Sequence, residues 1–283
     1  MAISLVTNVE TVTVLKNMEK TQRTLASNIG RLSSGLRINR AGDDAAGLAI
    51  SEGLKAQIRS LAQAQRNCQD GVSMIQVAEG ALNEIHGVLG RLRELAVQSA
   101  NGTQDATTRG YLNSEFTSLK SEIDRIAKVT DYNGTLLINS NYSFRFWVGA
   151  SANSSTNSIT VSVAAATLTA LGSAVAPGVS TLDLCSIGAF TDAVRAISMI
   201  DAAIKDISSA RAKIGAGQNR LTITIDNLAS QRESTMAANS RIRDVDVSSE
   251  TSDFTRNQIL MQAGVSVLAQ ANQLPSVGLS LLR

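Results

Sequence analysis

Residues 193–228 read AVRAISMIDAAIKDISSARAKIGAGQNRLTITIDNL. Ala193, Ile197, Ile200, Ile204, Ile207, Arg211, Ile214, Gln218, Leu221, Ile225 and Leu228 follow one another by alternating steps of four and three. Such steps keep the side chains on one helical stripe, the spacing of a coiled-coil seam. A stripe sustained this far exceeds an ordinary globular helix, so the segment predicts one long helix packed along its length.

The same period recurs upstream in Leu54, Ile58, Leu61, Gln65, Cys68, Val72 and Ile75. After a short slip it continues through Ala78, Leu82, Ile85, Leu89, Leu92 and Ala96, which predicts a helix over about residues 45–100. Asn101-Gly102 ends it, and a further helix from about Asp105 carries Leu112, Phe116, Leu119, Ile123 and Ile126. Beyond the turn signal Asp131-Tyr132-Asn133-Gly134, residues 135–138, 143–148 and 158–163 read as short strands. Residues 150–190, rich in Ser, Thr, Ala and Gly, read as loops and weak strands on an exposed surface.

The two ends mirror each other. Leu15, Met18, Leu25, Ile29, Leu32 and Leu36 form a heptad run with Gln22 in the gap, broken by RINRAGDD at 37–44. Near the other end, a break after Ser240 leads to Leu260, Val267, Ala271, Leu274 and Leu281, with Gly264 and Gly278 in the gaps. Residues 257–282 contain no charge. An uncharged terminal stretch of this length predicts burial against other copies of the chain. Pro275 is expected to bend the last helix or loosen its final turns. The expected fold is mainly α: long antiparallel coiled-coil helices from both chain ends plus a small β-hairpin region.

Composition excludes several classes. Lys and Arg number 26 against 24 acids, interspersed, so no basic stripe is available for nucleic acid. His86 is the single histidine, which leaves no triad and no His-based metal site; neither a cofactor nor an enzymatic activity is expected. Cys68 and Cys185 have no metal or disulfide spacing, and Cys68 reads as a small buried hydrophobe. No apolar run is long enough for membrane insertion, and the N-terminus does not read as a cleaved secretory signal. Of the adjacent Asp43 and Asp44, one is expected to cap the helix starting at Ala45, worth about 0.5–2 kcal/mol.

Three stretches carry a specific resemblance. NIGRLSSGLRINRAGDDAAGLAIS (28–51), RELAVQSANGT (93–103) and SRIRDVDVSSETSDFTRNQILMQAGVSVLAQANQL (240–274) resemble the terminal regions of bacterial flagellins. FRFWVGA (144–150) resembles the family's strand before its variable region, with Trp147 where a polar residue is more usual. The resemblance covers roughly residues 1–150 and 190–283 and implies a short form with little outer domain. It implies an inner terminal coiled-coil domain of residues 1–44 and 238–283, and a helical bundle with a β-hairpin of residues 45–150 and 190–237. Residues 151–189 would be a short exposed variable segment.

What the resemblance implies about function is a structural subunit that self-assembles into the extracellular flagellar filament. Leu25, Ile29, Leu32, Leu36, Leu260, Val267, Leu274 and Leu281 would be its assembly residues. Export would proceed unfolded through the flagellar type III apparatus, with an export chaperone, and the finished filament would meet cap and hook-junction proteins. In a host, Toll-like receptor 5 would contact Arg91, Leu95, Gln98 and Glu115. The first three share a helical face by their i, i+4, i+7 spacing, off the seam of Leu89, Leu92 and Ala96. A competing reading packs Leu95 on a third helix of the bundle. The alternative within the same class is a hook–filament junction protein.

Overall fold

The computed structural model describes residues 8–281 apart from 152, 154 and 173–180, with side chains as far as Gln273. The fold is mainly α, as the periodicity requires. Helices α1 (Val9–Ser34), α2 (Ala45–Ser99) and α3 (Ala106–Val129) precede strands β1 (Asp131–Tyr132), β2 (Thr135–Leu136), β3 (Tyr142–Trp147) and β4 (Ser158–Val163). A short 3-10 turn, Leu182–Leu184, then leads to α4 (Phe190–Arg243) and α5 (Val247–Leu281). No helix among the described residues is long and apolar enough to cross a membrane.

The chain forms two compact units, Met1–Ile58 with Glu233–Arg283 and Arg59–Arg232. The division thus falls further along α2, and slightly earlier in α4, than the expected boundaries at 44 and 238.

In the first unit α1 and α5 run antiparallel. Asn8 stands beside Ala271 and Thr11 beside Asn272, whereas Arg31 reaches Glu250 near the other end of the pair. Asn8 caps α1, its Oδ1 accepting from Thr11 N at 3.1 Å. The same amide donates through Nδ2 to Ala271 O at 3.0 Å. Ala271 O is the acceptor that residue 275 would serve in a regular helix, and Pro275 has no N–H to give. α5 accordingly continues through Pro275 to Leu281, because the orphaned carbonyl has found another donor.

α1 ends at Gly35, whose left-handed backbone (φ 70°) lets its N–H reach Arg31 O at 2.9 Å. Leu36 then makes an isolated antiparallel bridge with Asp244. Arg37 N donates to Arg243 O at 2.7 Å and Val245 N to Gly35 O at 3.1 Å, so the break after α1 is stitched to the break after α4. Of the acidic pair, Asp44 caps α2, accepting from Gly47 N at 2.8 Å. Asp43 turns the loop instead, accepting from Asn39 N at 3.0 Å and Arg40 N at 2.9 Å.

The second unit is built on α2 and α4. Arg93 pairs with Asp201 at 2.7 Å, Arg211 with Glu79 at 3.9 Å, and Arg232 with Gln65 at 3.4 Å, which fixes an antiparallel arrangement. One contiguous apolar cluster joins α2, α3, α4 and both hairpins. On α4 its buried rows are Ala193, Ile200, Ile207, Ile214, Leu221 and Leu228, with Ala196, Ala203 and Ala210 beside them. The remaining positions of the repeat, Ile197, Ile204, Arg211, Gln218 and Ile225, flank that core half-buried.

The β3–β4 hairpin uses this small-residue row. Phe144 pairs with Val161 and Phe146 with Ile159 on its inward face, while Arg145 and Thr160 face outward. Gly71 of α2 lies under Phe146, where a Cβ would stand 3.0 Å from the ring. Gly217 of α4 lies under Val161, where a Cβ would stand 2.9 Å from a methyl group. Two glycines in long helices thus let a hairpin with large inward side chains approach both helix backbones.

The expected exposed segment at 151–189 is corrected by its described part. Val161, Val163, Ala166, Leu171, Leu182 and Ile187 are all buried in the second unit's core. Polar anchors hold it there. Lys120 Nζ donates to Asp183 O and to Cys185 O (2.9 Å), and Asn113 Oδ1 accepts from Ile187 N at 2.9 Å. The Ser/Thr-rich average concealed single apolar residues spaced for insertion.

Candidate assembly surface

The α1–α5 seam keeps Met18, Leu25, Leu32, Gly264 and Ala271 of the rows read in the sequence but replaces their alternate members by a neighbour, Val14, Thr21 and Asn28 standing where Leu15, Gln22 and Ile29 were expected and Met261 and Leu268 where Leu260 and Val267 were. Its α1 side is Thr11, Val14, Met18, Thr21, Leu25, Asn28 and Leu32; its α5 side is Phe254, Asn257, Met261, Gly264, Leu268 and Ala271. Both registers obey steps of three and four, so periodicity alone does not choose between them. Asn28 decides. It is 4% exposed, and with its amide nitrogen toward Glu250 it donates to Thr24 O (2.9 Å) and Glu250 Oε1 (3.1 Å). Its oxygen then accepts from Asn257 Nδ2 at 3.2 Å and Phe254 N at 3.3 Å. A satisfied asparagine inside a helical pair sets register and orientation, because any slide leaves its amide unpaired. The α5 face is narrow here: at Gly264 a Cβ would come within 2.9 Å of Met18 Cγ.

This places the expected assembly residues in two groups. Leu25, Leu32 and Leu36 are half-buried within the unit. Ile29 is 51% exposed, Leu260 51% and Val267 48%, so they lie outside the intramolecular seam. The side chains of Leu274 and Leu281 lie outside the described residues. Leu15 and Ile29 of α1, and Leu260 and Val267 of α5, stand whole heptads apart and so form an unpartnered apolar row on each helix, while Val12, Ile259 and Val265 are exposed elsewhere on the two helices. Thr11, Thr21 and Asn28 were missed because they are polar; the asparagine within the heptad run was the available signal.

On the second unit, Arg91 of α2 is half-exposed and binds Glu115 of α3 through Nε (3.1 Å) and Nη2 (2.9 Å), and Glu94 through Nη1 (2.9 Å). These acceptors hold the guanidinium pKa above its ordinary value, the Glu94 hydrogen bond foremost. Gln98 is exposed on the same helix. Leu95 is not part of that exposed face: it is 0% exposed within the core cluster that contains Phe116 and Ile123 of α3. Leu95 is thus a core residue of the bundle and not a member of the exposed face of Arg91 and Gln98.

Residues 5–143 match the bacterial flagellin N-terminal helical region, and residues 197–282 match the bacterial flagellin C-terminal helical region. The chain belongs to the bacterial flagellins. It is 44% identical to the flagellin of Bacillus subtilis strain 168 over 98% of both chains. It is 48% identical to the flagellin of Halalkalibacterium halodurans over 89% of this chain and 90% of that one. The flagellar filament 33 kDa core protein of Treponema phagedenis is 44% identical over 95% of this chain and 96% of its own. The fold is shared with a putative flagellar hook-associated protein from Vibrio parahaemolyticus at a TM-score of 0.59 and 15% identity, covering 71% of this chain and all (100%) of that one. As a flagellin the chain is a structural subunit of the extracellular flagellar filament and not an enzyme. Near-full-length coverage of relatives this short matches the expected form without a large outer domain.

Proposed function

We propose that this chain polymerises through the exposed apolar rows of α1 and α5, after export as an unfolded chain by the flagellar type III apparatus. The observation that carries the reading is the exposure of Ile29, Leu260 and Val267 on helices that already have a satisfied seam. Burying such rows stabilises by roughly 25 cal/mol per Å² of apolar surface, a gain that many copies in a filament realise along the whole length of both helices. An export chaperone covers the uncharged stretch 257–282 before assembly, and filament cap and hook-junction proteins meet the same rows at the filament ends.

Toll-like receptor 5 is the proposed host partner, through Arg91, Gln98 and Glu115, with Leu95 supporting their backbone from below. A hook–filament junction role is the alternative; identities of 44% and 48% to flagellins along nearly whole chains favour the filament subunit.

Seeded elongation tests the reading. Purified chain added to short filament seeds is expected to give long uniform filaments in negative stain, and Ile29→Asp with Leu260→Asp is expected to abolish them. A wild-type chain that stays unassembled on seeds sinks the filament reading. Receptor binding is tested on folded monomer against the receptor ectodomain, with Arg91→Ala expected to weaken it by about 1–2 kcal/mol. No binding by folded wild-type chain rejects the receptor.

A further inference from the structure

A cavity of about 270 Å³ opens on the first unit, lined by Arg23, Ala26, Ser27, Gly30 and Arg31 of α1 and by Asn39, Arg40 and Asp43 of the following loop. Its α1 residues lie on the side of the helix opposite the seam positions Thr21, Leu25, Asn28 and Leu32. The floor is small and the walls are cationic: three arginines surround one aspartate. Asp43 offsets part of that charge, being coupled to Arg31 and Arg40, but its Oδ2 is occupied by the backbone N–H groups of Asn39 and Arg40 and one carboxylate stands against three guanidinium groups. Arg23 meets only Glu19, in an exposed pair at 3.4 Å, and Arg31 meets Glu250 at 3.8 Å. Arg31 Nε is buried with no hydrogen-bond partner, an unmet donor of a kind that folded proteins ordinarily avoid.

Gly30 adds an independent observation. It sits mid-helix without the left-handed backbone that would require glycine. A Cβ there would meet nothing within 4 Å. Glycine in a helix interior is less stable than alanine, because it loses more backbone freedom on folding. Gly53, Gly80, Gly87, Gly90, Gly110 and Gly215 are open in the same way, unlike Gly71, Gly217 and Gly264, but of the open helix glycines only Gly30 lines this cavity. An open glycine at the floor of an arginine-walled cavity leaves room there for a group from outside.

Resting on the filament reading, we propose that this cavity receives a carboxylate side chain of a second copy of the chain, seated over Gly30 between Arg23, Arg31 and Arg40. The chain itself supplies the complementary chemistry. Among the described residues, Asp70, Glu84 and Asp226 are exposed acids that make no ion pair. An arginine fork gives a carboxylate two parallel hydrogen bonds, and such pairs fix register between surfaces more than they add affinity. The apolar rows would drive association and the arginine cavity would select the position of the neighbour.

Gly30→Leu and Arg40→Glu separate this from a structural role. Gly30→Leu has room in the single chain and improves helix propensity, so helical content and unfolding temperature are expected to hold or rise. Seeded elongation is expected to slow at least tenfold in both variants. Gly53→Leu, at an equally open glycine outside the cavity, is the control and is expected to elongate as wild type. Elongation of Gly30→Leu and Arg40→Glu within twofold of wild type overturns the proposal, as does an equal defect in Gly53→Leu. Slow elongation accompanied by loss of helical content also overturns it, since the residues would then be structural. Titration with inorganic phosphate covers the free-anion occupant: saturable binding lost in Arg40→Glu, with elongation unchanged, rejects the second copy. Failure of wild-type chain to elongate is a different result, since it removes the filament reading itself.

Discussion

Asn8 supplies Ala271 with the hydrogen bond that Pro275 withholds, at 3.0 Å across the α1–α5 pair. A helix-breaking residue near one end is thereby accommodated by a capping residue near the other. Asn8→Asp keeps the acceptor that caps Thr11 N but has no N–H to donate, whereas Asn8→Ala loses both. The cap is worth about 0.5–2 kcal/mol and the added bond about 0.5–1.5 kcal/mol. Hydrogen exchange of α1 and α5 amides in assembled filaments is expected to rank wild type slowest, then Asn8→Asp, then Asn8→Ala. Equal rates in Asn8→Asp and wild type would remove the role assigned to Nδ2.

Gly215 and Gly217 are two residues apart on α4 and are expected to respond with opposite signs to alanine. Gly215 faces open space, so Gly215→Ala stabilises by about 0.5–1 kcal/mol through helix propensity. Gly217→Ala gains the same term but forces its methyl against Val161, an overpacking cost of about 1–3 kcal/mol. Urea unfolding of the two variants reads the difference directly.

Leu95→Ala is expected to lower unfolding free energy by about 2–5 kcal/mol, the range for a fully buried leucine. Arg91→Ala removes an exposed, solvent-screened ion pair with Glu115 and is expected to leave the unfolding midpoint nearly unchanged. Any receptor-binding loss in Leu95→Ala should therefore track unfolding, while that in Arg91→Ala should not. Circular dichroism melts run beside the binding assay distinguish them.

Burial pushes the Cys68 thiol up from 9.0 to about 11. The folded chain then holds its proton where the unfolded chain has lost it. Stability from this group is complete below pH 9.0 and is lost as pH rises toward 11. Denaturant unfolding of wild type and Cys68→Ala at several pH values should converge across that window. Thiol reagents at pH 8 are expected to leave both buried cysteines unmodified until the chain is unfolded.

Long-range order in this fold was legible because it is periodic. The rows of α2 and α4 repeat far enough that Ile200, Ile207, Ile214 and Leu221 identify the core before any contact is known. Register within α1 and α5 was not legible, since rows through Gln22 and Ile29 or through Thr21 and Asn28 fit the same period. Only the partners of Asn28 separate them, and they come from Glu250, Phe254 and Asn257 at the far end of the sequence. Leu95 illustrates the complementary gap. Spacing puts it on the face of Arg91 and Gln98, but whether that side meets α3 or solvent depends on a third element. The cavity around Gly30 gave no periodic signal, because its walls come from a helix and a loop.

The stitch between Leu36 and Asp244 has a mechanical consequence. Sliding α1 lengthwise against α5 would have to tear Arg37 N from Arg243 O and Val245 N from Gly35 O together, while Asn28 leaves its three partners on α5. Shear along the pair is thus opposed by several short bonds loaded in parallel, which yield only as a group. A torque or pull arriving through either terminal helix is divided between two strands at this point. The terminal pair therefore behaves under load as one stiff rod pinned at its base, not as two helices free to creep.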